Sequence, residues 1–171
     1  MVNFYKDKYV KTQSFSDSST PSTPTPTIVS SNIAESNWQQ LADKLMGNLI
    51  RPSNVNDYER ARLVFNTRFD HVYPQAIVFC ENDSDVTSAL TFVQEHNMHV
   101  TSRCGGHGYA GYSTTEGLVI DVTPMNSIIL GNGEVTIGAG ARLVDVYDQL
   151  TAQGVCIPLG SCLSVGISGL T

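Results

Sequence analysis

Long apolar runs are missing from these 171 residues. No stretch of about 18 consecutive apolar residues occurs, which excludes a transmembrane helix. A basic cluster is missing too. The ten Lys and Arg are scattered and outnumbered by 16 Asp and Glu, for a net charge of -6. Neither a nucleic-acid groove nor a site for an anionic membrane surface is expected from that balance. The N-terminal MVNFYKDKYVKTQSFSD has lysines but no apolar segment after them, so it does not read as a secretory signal peptide, and a cytoplasmic location is the expectation. Four cysteines (Cys80, Cys104, Cys156 and Cys162) have no CxxC spacing and lack the density of a disulfide scaffold. The familiar phosphate motifs are also absent. There is no GxxxxGK[ST], and Gly138-Ala139-Gly140 starts a GxG that fails at Leu143, with a helix opening at once at Arg142. No internal repeat is visible.

What is present is a soluble, globular composition, 41% apolar and 15% charged, long enough to bury a real core. The exception is the N-terminal third of the first hundred residues. Residues 12–31 are dominated by Ser, Thr and Pro, so residues 1–35 read as a disordered arm with extended, polyproline-like backbone. Order is expected from Ser36. Trp38, Leu41, Ala42, Leu45 and Leu49 have helical spacing over Asn32–Asn48, with Ser36 as N-cap. Pro52 interrupts, and a helical or turn segment follows at Asp57–Asn66. Ala76–Cys80 reads as a buried strand. A helix is expected over Asn82–Asn97, capped by Asp83 or Ser84, with Val86, Leu90 and Val93 on its inner face, followed by a strand at His99–Ser102. Strand, helix and strand make a βαβ unit and predict a parallel pair. Three further short strands are expected at Leu118–Val122, Ser127–Leu130 and Glu134–Ile137. Gly131-Asn132-Gly133 is a hairpin signal between the last two. Arg142–Gln153 reads as a helix with Leu143, Val146, Tyr147 and Leu150 inward, closed by Gly154. The fold class is therefore α+β. The chain ends in Gly169-Leu170-Thr171 without a helix stop or charged tail, and truncation at the C-terminus is the expectation.

Two segments carry chemistry. Arg103-Cys104-Gly105-Gly106-His107-Gly108-Tyr109-Ala110-Gly111-Tyr112-Ser113 places four glycines in a loop just after a strand. Such a loop can turn its N–H groups inward as a nest for a diphosphate, because backbone donors are fixed and no side chain holds the ligand off. Ser113 can add a hydroxyl donor. Arg103 adds charge or faces solvent. A plain tight turn explains the same glycines equally well, and His107 and Cys162 taken singly read more readily as a structural histidine and a buried thiol. In the second segment, Val165-Gly166-Ile167-Ser168-Gly169 has small residues placed for close backbone approach.

Taken together, the two segments resemble a family. Residues 103–113 resemble the R-[SG]-G-G-H-x-x-x-G-x-S signature of FAD-linked oxidases. Gly160-Ser161-Cys162-Leu163-Ser164-Val165-Gly166-Ile167-Ser168-Gly169 resembles the G-x-C-x-x-V-G-[VI]-x-G signature of the berberine-bridge-enzyme-like branch. The resemblance covers about Ser36–Thr171, so 36–171 is expected to be the N-terminal part of an FAD-binding domain. It implies a domain of two α+β subdomains, the first complete (the βαβ unit plus helices) and the second only begun. It implies FAD held by two covalent bonds, from His107 to the 8α-methyl and from Cys162 to C6. It implies diphosphate contacts from the amides of Cys104, Gly105, Gly106 and His107. Gly108, Tyr109, Gly111 and Ser113 complete the first segment. Val165 and Gly166 complete the second, with Val165 at the position tied to oxygen access. Cys104 departs from the signature, which has Ser or Gly there, and a packing role is expected. The implied activity removes a hydride from an alcohol, hemiacetal or related C–H donor and passes the electrons to O2, giving H2O2. The substrate is then a small molecule.

The family's catalytic base belongs to its C-terminal substrate domain, and none is assigned within these residues. His71, His96 and His99 read as structural. The 171 residues alone are expected to show no turnover. A non-catalytic FAD- or nucleotide-binding module remains the alternative. A metal site at His107 and Cys162 is disfavoured, since HxC spacing and acidic ligands are missing.

Overall fold

Leu118-Val119-Ile120 is an unbroken β-branched and aliphatic run, the pattern of a strand covered on both faces. In the computed structural model, which describes residues 33–131 and 133–170, this run is one of the two interior strands of a four-stranded sheet. The expected Ser/Thr/Pro arm lies outside the described residues, apart from its last three positions. The sheet contains β1 (Asn48–Ile50), β2 (Ala76–Phe79), β3 (Val100–Arg103) and β4 (Leu118–Asp121) in the order β1-β2-β4-β3. β1 is antiparallel to β2, whereas β2, β4 and β3 are mutually parallel.

Side-chain alternation sends the strand residues to two faces. Ala76, Val78, Leu118 and Ile120 join Trp38, Leu41, Phe92 and Val93 from α1 (Glu35–Ala42) and α3 (Asp83–Glu95). Ile77 and Val119 pack on the other face against Tyr58 of α2 (Val55–Arg62). Helices thus cover both faces of the sheet. A separate two-stranded sheet, β5 (Ile128–Gly131) and β6 (Glu134–Ile137), packs with α4 (Leu143–Thr151) around Ala141, Val146, Leu150 and Ile167. The pairing of Gly131 with Glu134, and φ +79° at Gly133, put the hairpin turn where expected. The class is α+β.

Four expectations change. The first helix stops at Ala42 rather than Asn48, and Ala34, not Ser36, precedes its first residue. Leu45 and Leu49 match helical spacing, but β2 offers an edge to Asn48–Ile50, and Asp85 takes the N–H groups of Met46 and Gly47 at 2.8 and 3.0 Å. A Cβ on Gly47 would lie 1.8 Å from the Phe79 carbonyl oxygen, so only glycine allows this approach. Second, Asn82 caps α3, accepting from Asp85 N–H at 3.0 Å. Third, the inner stripe of α3 is Asp85, Ala89, Phe92 and Val93, while Leu90 is exposed. Phe92 sets that rotation by packing on Trp38 with centroids 4.7 Å apart. Fourth, β2 and β3 are parallel as expected but not adjacent, because β4 lies between them.

Asp85 ties three elements together. Its carboxylate is fully buried and also accepts Glu81 N–H at 2.9 Å. Burial pushes its pKa up, but the backbone N–H groups of Glu81, Met46, Gly47 and Asn82 outweigh that and hold it below 3.8. A depressed carboxylate pKa contributes stability that is complete above the unfolded-state value and is lost as pH falls through the folded one. Asp85→Asn is therefore expected to lose at least about 2 kcal/mol at neutral pH and to flatten the stability profile below about pH 4. Urea unfolding at several pH values checks both.

Candidate functional site

The glycine-rich loop is the connection from β3 to β4. It leaves the carboxyl end of β3 at Arg103 and returns to the start of β4 at Leu118. Loops at the carboxyl ends of parallel strands are where ligands bind in open sheets of this kind. Gly105 and Gly106 both have φ +70° and Gly111 has φ +79°, a region in which side chains are strained. Gly111 lies against Phe69, where a Cβ would come within 2.4 Å of the ring.

The second segment is brought to the first by backbone contact. A Cβ on Gly166 would meet Cys104 Sγ at 2.1 Å, and one on Gly105 would meet Gly166 N at 2.9 Å. Residues 163–167 are held in turn by the start of α4. Leu143 N–H donates to Val165 O at 3.0 Å, Val144 N–H to Leu163 O at 2.9 Å, and Ile167 N–H to Ala141 O at 2.9 Å. These carbonyls satisfy helix-end N–H groups that Arg142, as N-cap, leaves without a side-chain partner.

Between the segments lies a cavity of about 520 Å³, within the range of small-molecule sites. His107, Cys162, Val165 and Gly166 line it together. Arg103, Cys104, Gly108, Tyr109 and Ser113 also line it, and Gly105, Gly106 and Gly111 set the turns of the loop. A smaller cavity of about 270 Å³ lies between α1 and α3 and is lined by no residue of either segment.

Individual residues depart from expectation. Arg103 does not face solvent; its Nε donates to Asp121 Oδ2 at 2.7 Å, and both side chains are buried. Ser113 acts inside the loop, its Oγ accepting Gly108 N–H at 3.3 Å. Cys104 packs against Gly166 as expected, and burial raises its thiol pKa despite hydrogen bonding with Ser168. Cys80 is a buried, inert thiol pushed up to about 12 by burial, with Asp85 and Asp121 adding to the shift. A small apolar thiol such as Cys156 is ordinarily a packed core residue, but Cys156 is exposed, as is Cys162. His96 ends α3 and packs on Phe92, 4.4 Å between centroids. No group of His, Cys, Asp and Glu among the described residues could hold a metal ion. None of the described helices is long and apolar enough to cross a membrane.

Two residues outside both segments touch the site. Phe65 stacks on His107, and Asn66 Nδ2 donates to Tyr109 O at 3.0 Å. Asn66 stood out only as the end of the Asp57–Asn66 segment, and nothing in the sequence pattern marked Phe65.

Comparison with known proteins is decisive here. The FAD binding domain family matches residues 74–171. The chain belongs to that family, in its berberine-bridge-enzyme-like branch. An FAD-linked oxidoreductase of Bacillus subtilis, YgaK, is 36% identical over 131 residues, 75% of this chain and 29% of that protein. The solved structure of Physcomitrella patens BBE-like 1 superposes with a TM-score of 0.70 at 29% identity, covering 77% of this chain and 29% of that one. A carbohydrate oxidase from Microdochium nivale superposes with a TM-score of 0.65 at 26% identity, covering 77% and 29%. The chain thus spans under a third of the relatives it matches.

The residues present fit FAD. Among the described residues, the N–H groups of Cys104, Gly105, Gly106 and His107 donate to no acceptor. Arg103 Nη1 is buried without a hydrogen-bond partner at the same cavity. A glycine cradle with free amides and an unpaired guanidinium nitrogen suits the oxygens of a diphosphate.

Proposed function

We propose that this chain supplies one side of the flavin cradle of an oxidase and anchors FAD by two covalent bonds, from His107 and from Cys162. The observation that carries the reading is that His107 and Cys162, 55 positions apart by their numbering, line one cavity of about 520 Å³. The amides of Cys104, Gly105, Gly106 and His107 hold the diphosphate, with Arg103 contributing charge. His107 fixes the isoalloxazine from the loop side and Cys162 from the second segment. Val165, which lines the same cavity, governs the approach of O2. When bound, FAD supplies two-electron oxidation of a C–H donor, such as an alcohol or hemiacetal, with O2 as acceptor and H2O2 as product. Two attachments prevent loss of the cofactor and hold its ring in one orientation, which is the protein's contribution to positioning. No residue of this chain is assigned as the proton acceptor for the substrate.

The test is retention of flavin by the denatured chain. Protein expressed from its complete reading frame with riboflavin present should stay yellow after acid precipitation and should carry the mass of one FAD. His107→Ala and Cys162→Ala should each leave one bond, and the double variant none. Colour that is removed wholly by acid from the unaltered protein would reject the covalent reading. Colour removed by dialysis, with no H2O2 formed, would favour a non-catalytic binding module. The 171 residues by themselves are expected to form no H2O2 with alcohols or sugars.

A further inference from the structure

The loop that carries His107 contains three glycines in the left-handed region, so its own backbone does little to hold the imidazole in place. Inside the loop, Ser113 Oγ accepts Gly108 N–H at 3.3 Å, and two further ties flank His107 from outside. Phe65 and Asn66, in the short connection after α2, bind it on both sides of His107. Phe65 N–H donates to Gly106 O at 3.0 Å, and Asn66 Nδ2 donates to Tyr109 O at 3.0 Å. The Phe65 ring lies on the His107 imidazole with centroids 4.3 Å apart and planes inclined by 24°. Asn66 is itself fixed, since its Oδ1 accepts Arg68 N–H at 3.2 Å. Phe65 is 59% exposed and belongs to none of the buried clusters, so its ring contributes little to the core.

We propose that Phe65 and Asn66 are positioning residues that hold the His107 imidazole ready for bond formation with the flavin. This rests on the reading of His107 as a covalent anchor. In that step an N–C bond forms as the imidazole loses its ring N–H hydrogen and the 8α-methyl loses one hydrogen. The two protons and two electrons released pass to O2, giving H2O2. Restricting the imidazole to one orientation raises the rate of such a step because little freedom remains to be lost. Phe65 restricts the ring plane, while Asn66 and the Phe65 amide restrict the loop.

The experiment uses protein from the complete reading frame, prepared free of flavin, in a Cys162→Ala background where His107 is the one remaining anchor. FAD is added in air and the gain of one FAD mass is followed on the denatured chain. Phe65→Leu and Asn66→Ala should each slow attachment on the order of tenfold at saturating FAD. Reversible FAD affinity should change less than about threefold and the melting temperature by only a few degrees. Phe65→Tyr, which keeps the ring, should restore the rate. Phe65→Leu attaching as fast as the Cys162→Ala parent would overturn the proposal, as would Phe65→Tyr being as slow as Phe65→Leu. A parent that never gains the FAD mass would overturn the His107 anchor and this proposal together, so the two failures are distinguishable.

Discussion

Alanine at Gly166 is expected to reduce covalently held flavin to below about a tenth of the unaltered level and to lower stability by about 1–3 kcal/mol. The added methyl would lie 2.1 Å from Cys104 Sγ, 2.7 Å from Cys104 O and 2.8 Å from Cys104 C. Gly166 has φ -76° and ψ 139°, which alanine adopts freely, so the cost is steric and not conformational. The strand-like stretch around it cannot retreat easily, because Val165 O and Ile167 N–H are both bonded to the start of α4. The displaced partner is therefore Cys104, and with it Gly105 and the His107 loop. His107 and Cys162 lie on the two segments that would part, and a shift of about 1 Å is enough to defeat a two-point anchor. Adding Cys104→Ala removes the sulfur but leaves the backbone contacts at 2.7 and 2.8 Å. That second change should recover only part of the loss. Acid-precipitated flavin absorbance and urea unfolding measure the two effects separately. Full flavin retention in Gly166→Ala would mean that the segments need not touch.

The parts of this fold that were legible in the sequence are those set by local pattern. β2, β4 and β6 appear as apolar or alternating runs, α4 as a clean amphipathic stripe, and the β5–β6 turn as Asn-Gly. Asn97, with φ 49°, is the left-handed residue just past the C-cap His96 of α3, a place its residue type suits. What the pattern hid was set by distant contacts. β1 carries only three residues and owes its existence to the free edge of β2. The placement of β4 between β2 and β3 depends on which strand most needs burial on both faces. Asp85, a polar residue on the inner stripe of α3, is inward because Met46, Gly47 and Glu81 present N–H groups that nothing else accepts.

The site divides in the same way. Glycines at 105, 106, 111 and 166 could be read as places of unusual backbone or close approach, and each is one. Linking the two glycine segments required the family's signatures, since spacing alone left His107 and Cys162 as an ordinary histidine and thiol. Arg103 shows the limit of residue-type reasoning. As the residue opening a phosphate loop it suggested a ligand contact or a solvated charge, whereas its carboxylate partner Asp121 becomes visible only through the β3–β4 register, which sets the two side by side.

That pair gives the other large effect. Asp121→Asn is expected to destabilise the protein by about 3–5 kcal/mol, because it leaves a buried guanidinium without its counter-charge. Arg103 and Asp121 side chains are 5% and 6% exposed, so neither water nor salt screens the loss. The fall in melting temperature should be roughly 10 °C for a chain of this size. Asparagine keeps an oxygen for Thr123 N–H, which Asp121 Oδ1 now accepts at 2.9 Å, so the defect is one of charge more than of hydrogen bonding. Replacing both partners by apolar residues, Arg103→Met with Asp121→Leu, removes the unpaired charge and should recover most of the stability. It should not recover flavin binding. Arg103 Nη1, buried and unpartnered at the cavity, is then gone along with the positive charge beside the loop. The double variant thus separates two roles that the single one confounds. A stable protein with weakened FAD affinity assigns Arg103 to the ligand. A stable protein that binds FAD as before assigns the pair to holding β3 against β4 and nothing more.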